Sequence, residues 1–190
     1  MYAKWIMFLF FLNASPNLEI MAQTTVNVKE SIIINTSLEE LWSITALQFD
    51  KIGIWSAGVK DSEGHGTGCN GSVCTERQCT PAYKGFKKTT ERIIDYQPEK
   101  KQFTYLIAEG LPKMVVNATN TWTHIEKANG TEITMEINME LKGLMGWIMK
   151  GPLKKKMSKI LRQNLEELKV YAETGNVHER KQKLLTQKTK

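Results

Sequence analysis

Apolar and polar side chains alternate through the middle of the chain. Between Thr131 and Lys142, Ile133, Met135, Ile137, Met139 and Leu141 alternate with Thr134, Glu136, Asn138 and Glu140, a period of two that predicts a strand with one dry and one wet face. Phe103, Tyr105 and Ile107 form a similar set within Gln102–Glu109, and Ala118, Asn120 and Trp122 share the inward parity of Met114–Glu126. The β-branched run Thr24–Asn35, together with Val59–Ser62, Ser72–Thr80 and Phe86–Tyr96, brings the count to about seven strands. Turn residues separate the later ones, at Pro81, Pro98-Glu99, Gly110-Leu111-Pro112 and Asn129-Gly130. Such short connections make the sheet antiparallel.

The period changes to three and four in Gly151–Glu173. Leu153, Met157, Ile160, Leu161, Leu165, Leu168 and Ala172 fall on one face, and Lys154, Lys155, Lys159, Arg162, Glu166 and Lys169 mostly on the other. Pro152 suits a first helical turn and Gly175 the position past the last. Two shorter helices are expected after the first strand. Ser37, with Glu40 three residues on, reads as a capping box opening Leu38–Leu47, and a second stretch, roughly 49–54, ends near Trp55. The fold class is α+β, with a long amphipathic helix that needs a large apolar surface to lie against.

Charge is unevenly placed. Lys150 to Arg162 holds six basic residues and no acid, and Asn176 to Lys190 five basic and one acidic, so these stretches carry net +10 in a chain whose formal charge is +6, leaving −4 elsewhere. A nucleic-acid binder spreads basic residues over the folded body with stacking aromatics between them, and no such arrangement is present. The positive charge belongs to one helix and to a C-terminal tail, 176–190, expected to be disordered.

Residues 1–23 carry a short apolar run, Ile6 to Leu12, that reads as a signal-peptide core or as a mis-assigned gene start ahead of Met21. Cys69, Cys74 and Cys79 are an odd set without a framework of pairs, which favours a reducing, cytoplasmic compartment, with a secreted or periplasmic location the alternative. Their spacing lacks the short Cys-x-x-Cys step of zinc sites, so no metal is expected. Gly66-x-Gly68-x-x-Gly71 formally matches a dinucleotide fingerprint, but a strand follows where the fingerprint requires a helix, and no cofactor is expected. No Cys-His or Ser-His-Asp set is evident. Glu91 shares the parity of Ile93 and so points inward, where a carboxylate has to be hydrogen-bonded or neutral. His124, near a strand end, is expected to be exposed.

The order of one strand, two helices, six strands and a long final helix resembles the START-like, polyketide cyclase/dehydrase and lipid-transport superfamily (SRPBCC). The residues that carry the resemblance are Leu41-Trp42, Trp55, the Gly66–Gly71 loop, Thr90-Glu91-Arg92 with Asp95, Trp122, Gly130-Thr131 and the ending Leu165–Glu173. It covers roughly 24–175. Cys74 is a departure, since related cyclase-like sequences often carry Arg there. The resemblance implies a helix-grip fold, a curved antiparallel sheet wrapped around the C-terminal helix, with a cavity between them. It also turns Glu91 towards that cavity. The expected ligand-binding residues are Trp55, Glu91, Tyr105, Asn120, Trp122, Met135, Ile137, Ile160 and Asn164.

Binding or transport of a hydrophobic, lipid-like or polyketide-like molecule is the expected function, because the inferred lining is apolar and aromatic with few polar groups. The alternative is a cyclase or dehydratase using acid–base chemistry, with Glu91 as base and Tyr105 as hydrogen-bond donor. Leu144 to Met149, too apolar for a surface connection, lies just ahead of the lysine cluster. An anionic membrane contacted through Trp147, Lys154, Lys155 and Lys156 is therefore an expected partner, against the simpler alternative of an amphipathic turn packed on the sheet.

Overall fold

The computed structural model describes residues 23–68, 72, 74–82 and 87–188. The apolar run Ile6–Leu12, Cys69, Gly71, Phe86 and the last two residues lie outside that set.

Seven antiparallel strands form one sheet: β1 (Thr24–Ile34), β2 (Val59–His65), β3 (Glu76–Pro81), β4 (Thr89–Gln97), β5 (Gln102–Glu109), β6 (Val115–Lys127) and β7 (Gly130–Leu141). Their spatial order is β1-β7-β6-β5-β4-β3-β2, a meander of hairpins to which β1 adds at the far edge, Thr24 opposite Leu141 and Ile34 opposite Thr131. Register shifts in β2, β4 and β6 bend the ribbon, as bulges do, so the sheet curves around its apolar face. On β7 the alternation is complete, with Ile133, Met135, Ile137, Met139 and Leu141 all buried.

Between β1 and β2 the chain makes α1 (Leu38–Trp42), a wider π turn over Ser43–Leu47, a 3₁₀ turn over Phe49–Lys51 and α2 (Ile52–Trp55). The Ser37 hydroxyl caps α1 by accepting from Glu40 N at 3.2 Å, while the Glu40 carboxylate accepts from the Thr36 hydroxyl instead of closing the reciprocal half of the box. The turn between β6 and β7 is centred one residue earlier than the Asn-Gly pair suggests, because Gly130 already pairs with Lys127. Glycine is required there for another reason. Its φ is +126°, and a Cβ would sit 2.2 Å from the Ile34 carbonyl oxygen at the end of β1.

The long helix α3 spans Gly143–Thr174, eight residues earlier than Pro152 implies. Gly146 packs so closely on Leu141 that a Cβ would meet it at 2.8 Å, so the helix starts directly off β7 and Pro152 falls inside it. Leu161, Leu165 and Leu168 are its buried stripe. Polar bonds fasten it to β1: Ser158 Oγ donates to Glu30, Lys169 Nζ to Ile33 O, and Glu173 accepts from Asn35 N. Gly175 ends it in the left-handed conformation, as expected.

The tail is not disordered over 179–188. It folds as α4 (Glu179–Lys188), because its basic residues have partners that composition hides. Arg180 donates to Glu167 Oε1 at 2.7 Å, Glu166 Oε2 at 2.8 Å and Gln163 O at 3.0 Å. Lys181 is buried, with Nζ on Val59 O at 2.7 Å. Glu167, also buried, accepts from Ala57 N with its other oxygen and so ties α3 to both α4 and the turn after α2.

Candidate functional site

Two chambers that share wall residues lie between the concave face of the sheet and α3. The outer one, about 280 Å³, is almost wholly apolar: Ile107 from β5, Leu111 and Met114 from the β5–β6 connection, Met139 from β7, and Met149 and Leu153 from α3. The other, about 170 Å³ and the more open to solvent of the two, lies deeper along the sheet towards β3 and is called the inner chamber for that position alone; Thr89, Ile107, Ile137 and Met157 border both. Together they match the roughly 300–1,000 Å³ of small-molecule sites.

The inner chamber ends in a polar row that runs across the strands. Arg77 on β3 stands opposite Glu91 on β4, and Tyr105 on β5 opposite Asn120 on β6. Arg77 is 3 % exposed. Its Nε and Nη2 reach the same Glu91 oxygen, Oε2, at 2.7 and 2.6 Å, and Nη1 donates to Phe49 O at 2.6 Å. The guanidinium carbon lies 3.9 Å from the Phe49 ring centre and 5.0 Å from that of Tyr105, so two aromatic faces sandwich the charge. Burial opposes that charge, yet the Glu91 carboxylate outweighs it and holds the guanidinium firmly protonated. Burial, aided by Glu91, pushes the Tyr105 hydroxyl up and the Cys79 thiol up to about 12, so both are neutral donors at physiological pH. Asn120 Nδ2 donates to the Tyr105 hydroxyl at 2.9 Å. Asn120 Oδ1, Ser56 Oγ and Asn164 Oδ1 are buried without a hydrogen-bond partner.

Of the residues expected to contact ligand, Glu91, Tyr105, Asn120, Met135, Ile137, Ile160 and Asn164 are brought together around the inner chamber. Trp55 and Trp122 are not. Both are buried in the core away from either wall, Trp122 stacked on Phe103 with ring centres 5.7 Å apart. Arg77 escapes notice in the sequence because an arginine on a strand reads as solvent-facing; the available signal was its parity with Cys79 and its place opposite an inward Glu91. β2 ends at His65 and the next described element is β3 from Glu76, a strand where a pyrophosphate site needs a helix; residues 69–71 of the glycine loop lie outside the described set.

His124 overturns the expectation of exposure. It is 3 % exposed, held edge-on to Trp42, with Nδ1 2.9 Å from Lys101 O and Nε2 2.8 Å from Thr45 Oγ1. The π turn after α1 covers this end of β6, which the sequence alone presents as a frayed tip. Burial pushes the imidazole down to about 4, against the pull of the Lys101 carbonyl.

The family described as polyketide cyclase / dehydrase and lipid transport matches residues 25–173. The chain belongs to that family, and its fold is the helix grip of the START-like proteins. Among solved structures it is similar to XoxI from Bacillus cereus, with 17 % identity over 80 % of this chain and 99 % of that one and a TM-score of 0.62. A START superfamily protein from Mycobacterium smegmatis is similar at 15 % identity over 79 % and 99 % of the two chains, TM-score 0.62. The di-domain ARO/CYC StfQ from the steffimycin biosynthetic pathway is similar at 14 % identity over 78 % of this chain and 51 % of StfQ, TM-score 0.62. At such identities the likeness defines the fold alone. No curated protein matches the sequence.

Proposed function

We propose that this ligand-binding domain carries a hydrophobic small molecule in the two chambers and exchanges it at an anionic membrane surface, to which the start of α3 docks. The observation that supports carriage is the outer chamber, whose walls offer methionine, leucine and isoleucine side chains and almost no polar atoms. Acid–base catalysis has less support, because Glu91 Oε2 already accepts two N–H groups of Arg77, although the Tyr105 hydroxyl keeps its proton and so suits the donor role. The buried free thiols of Cys74 and Cys79 support a reducing compartment.

The first turns of α3 support the membrane contact. Leu144, Met145, Trp147 and Ile148 are helical yet lie on the outside, Trp147 at 67 % and the others at half or more. Their exposure supports the membrane reading over that of an amphipathic turn packed on the sheet. Lys150, Lys154, Lys155 and Lys156 follow directly, and Met149, Leu153 and Lys156 of the same helix line the outer chamber, so docking sets its mouth against lipid. No helix among the described residues is long and apolar enough to cross a membrane, so the contact is peripheral.

Native mass spectrometry of the purified protein tests carriage: a co-purified apolar molecule is expected, and a protein that neither retains one nor takes one up refutes it. Sedimentation with vesicles tests docking. Phosphatidylcholine vesicles containing phosphatidylserine should pellet the protein at low salt and release it at high salt, and pure phosphatidylcholine should not bind it. Each lysine near the surface contributes about 1 kcal/mol, so the triple change Lys154→Glu, Lys155→Glu, Lys156→Glu should abolish binding. Wild-type protein left in the supernatant at low salt would end the docking idea.

A further inference from the structure

The C-terminal helix α4 lies wholly beyond the residues that the family matches, 25–173, yet it is bonded to both sides of the inner chamber. On one side of that chamber stand Ser56, Gly58 and Val59, where the chain passes from α2 into β2, and on the other Ile160, Leu161 and Asn164 of α3. α4 joins the two. Lys181, 1 % exposed, donates from Nζ to the Val59 carbonyl, and Arg180 donates from Nη2 to the carbonyl of Gln163, the neighbour of Asn164. Glu167, also buried, completes the bridge by accepting from Arg180 Nε with one oxygen and from Ala57 N with the other. A buried ammonium and a buried carboxylate are tolerated only while they are hydrogen-bonded, so these contacts resist release and hold the gap between α3 and the α2–β2 turn at one width.

We infer that α4 is a clasp that governs how fast the inner chamber takes up and releases its ligand, an inference that rests on the carriage reading above. The inner chamber is the more open to solvent of the two, so the width of that gap is what keeps an apolar ligand from leaving there. The clasp grips α3 far from the membrane-docking turns, with Gln163 about 24 Å along the helix from Trp147. With the clasp closed, ligand is left to pass through the outer chamber, whose mouth faces lipid; with it released, the inner chamber exchanges directly with water. Among the described residues none of α4 lines either chamber, so the clasp touches no ligand and acts on rates in both directions rather than on affinity.

The neutral apolar dye N-phenyl-1-naphthylamine, which fluoresces out of water, is the probe. Stopped-flow mixing with the full chain gives its association rate, and dilution of the loaded protein gives its release rate. In the full chain carrying Arg180→Ala and Lys181→Met both rates should rise about tenfold while Kd stays within about threefold. Gly130→Ala, which loosens the β6–β7 turn instead, should leave both rates at their wild-type values. Unchanged rates in the double variant overturn the clasp, as does an equal acceleration by Gly130→Ala, which would trace the effect to general loosening. A weaker Kd with an unchanged association rate also overturns it, because α4 would then shape the site rather than gate it. In each of these cases the wild type still binds the dye and carriage stands; a wild-type chain that takes up no dye overturns carriage, and the clasp with it. Should the double variant not fold, Arg180→Ala alone takes its place, with faster exchange expected and unchanged rates refuting the clasp.

Discussion

Acidification below about pH 6.5 should weaken this protein, and His124 should be the reason. Folded, the ring resists protonation down to about 4, against an ordinary value of 6.5, chiefly because burial denies the imidazolium its water. Above 6.5 it is neutral in both states and contributes no pH dependence. As pH falls through the window between the two values the unfolded chain binds a proton that the folded chain refuses, so stability is lost, and below about 4 the loss is complete. At about 1.4 kcal/mol per pH unit the full penalty is on the order of 3 kcal/mol. At pH 5.5 the same two values give about 1 kcal/mol. Urea unfolding at several pH values between 7.5 and 5.5 measures this directly. The comparison is with His124→Gln, which keeps a polar group near Thr45 and Lys101 but cannot titrate. The wild-type stability should fall by about 1 kcal/mol more than the variant's across that interval. Parallel curves would show that His124 titrates at its ordinary value, and that the dry contact with Trp42 does not exist in solution.

Two further changes probe the joints of the fold. Gly130→Ala puts a side chain at a positive φ and against the Ile34 carbonyl, and should lower stability by about 3 kcal/mol in thermal melts; a change within about 0.5 kcal/mol would mean that the β1 end does not pass over this turn. Arg180→Ala leaves the buried Glu167 carboxylate with Ala57 N alone, at a cost of about 2 kcal/mol, between the values for exposed and fully buried pairs. Glu166→Ala, which removes only the exposed partner of Arg180, should cost under about 0.5 kcal/mol by the same urea assay, and equal costs would show that burial of Glu167 does not matter.

The sheet was legible because its signal is local. Period-two alternation on β7 and the bounds of β5 need nothing beyond a dozen neighbouring residues. What escaped was whatever depends on a partner distant in sequence. Glu91 has the right parity to point inward, but that it faces Arg77 follows from the β3–β4 register, which no short window contains. His124 shares its parity with Trp122, and only the packing of the turn after α1 decides that it is covered. The charged tail reads as disordered until Glu167, Gln163 and Val59 are known to lie beside it. Trp55 and Trp122 erred in the opposite direction: large aromatics on an inward face suit a ligand wall and a core equally, and here the core claimed both. The start of α3 moved for a steric reason, since the approach of Gly146 to Leu141 cannot be read from a proline rule.

The seating of β1 against β7 sets the order in which the molecule can assemble. The hairpins from β2 to β7 join neighbours in the chain, whereas β1 finds its partner only after nearly the whole domain exists: Gln23 is bonded to Glu140, 117 positions further on. Loops that long close slowly, and until they close the first strand presents a bare row of N–H and C=O groups. During synthesis, which runs from the N-terminus, that row waits for β7 to leave the ribosome. α3, bonded along β1 by Ser158 and Lys169, emerges after β7 and locks the closure. The interval between β1 and α3 is therefore when a nascent chain is most open to pairing with another copy.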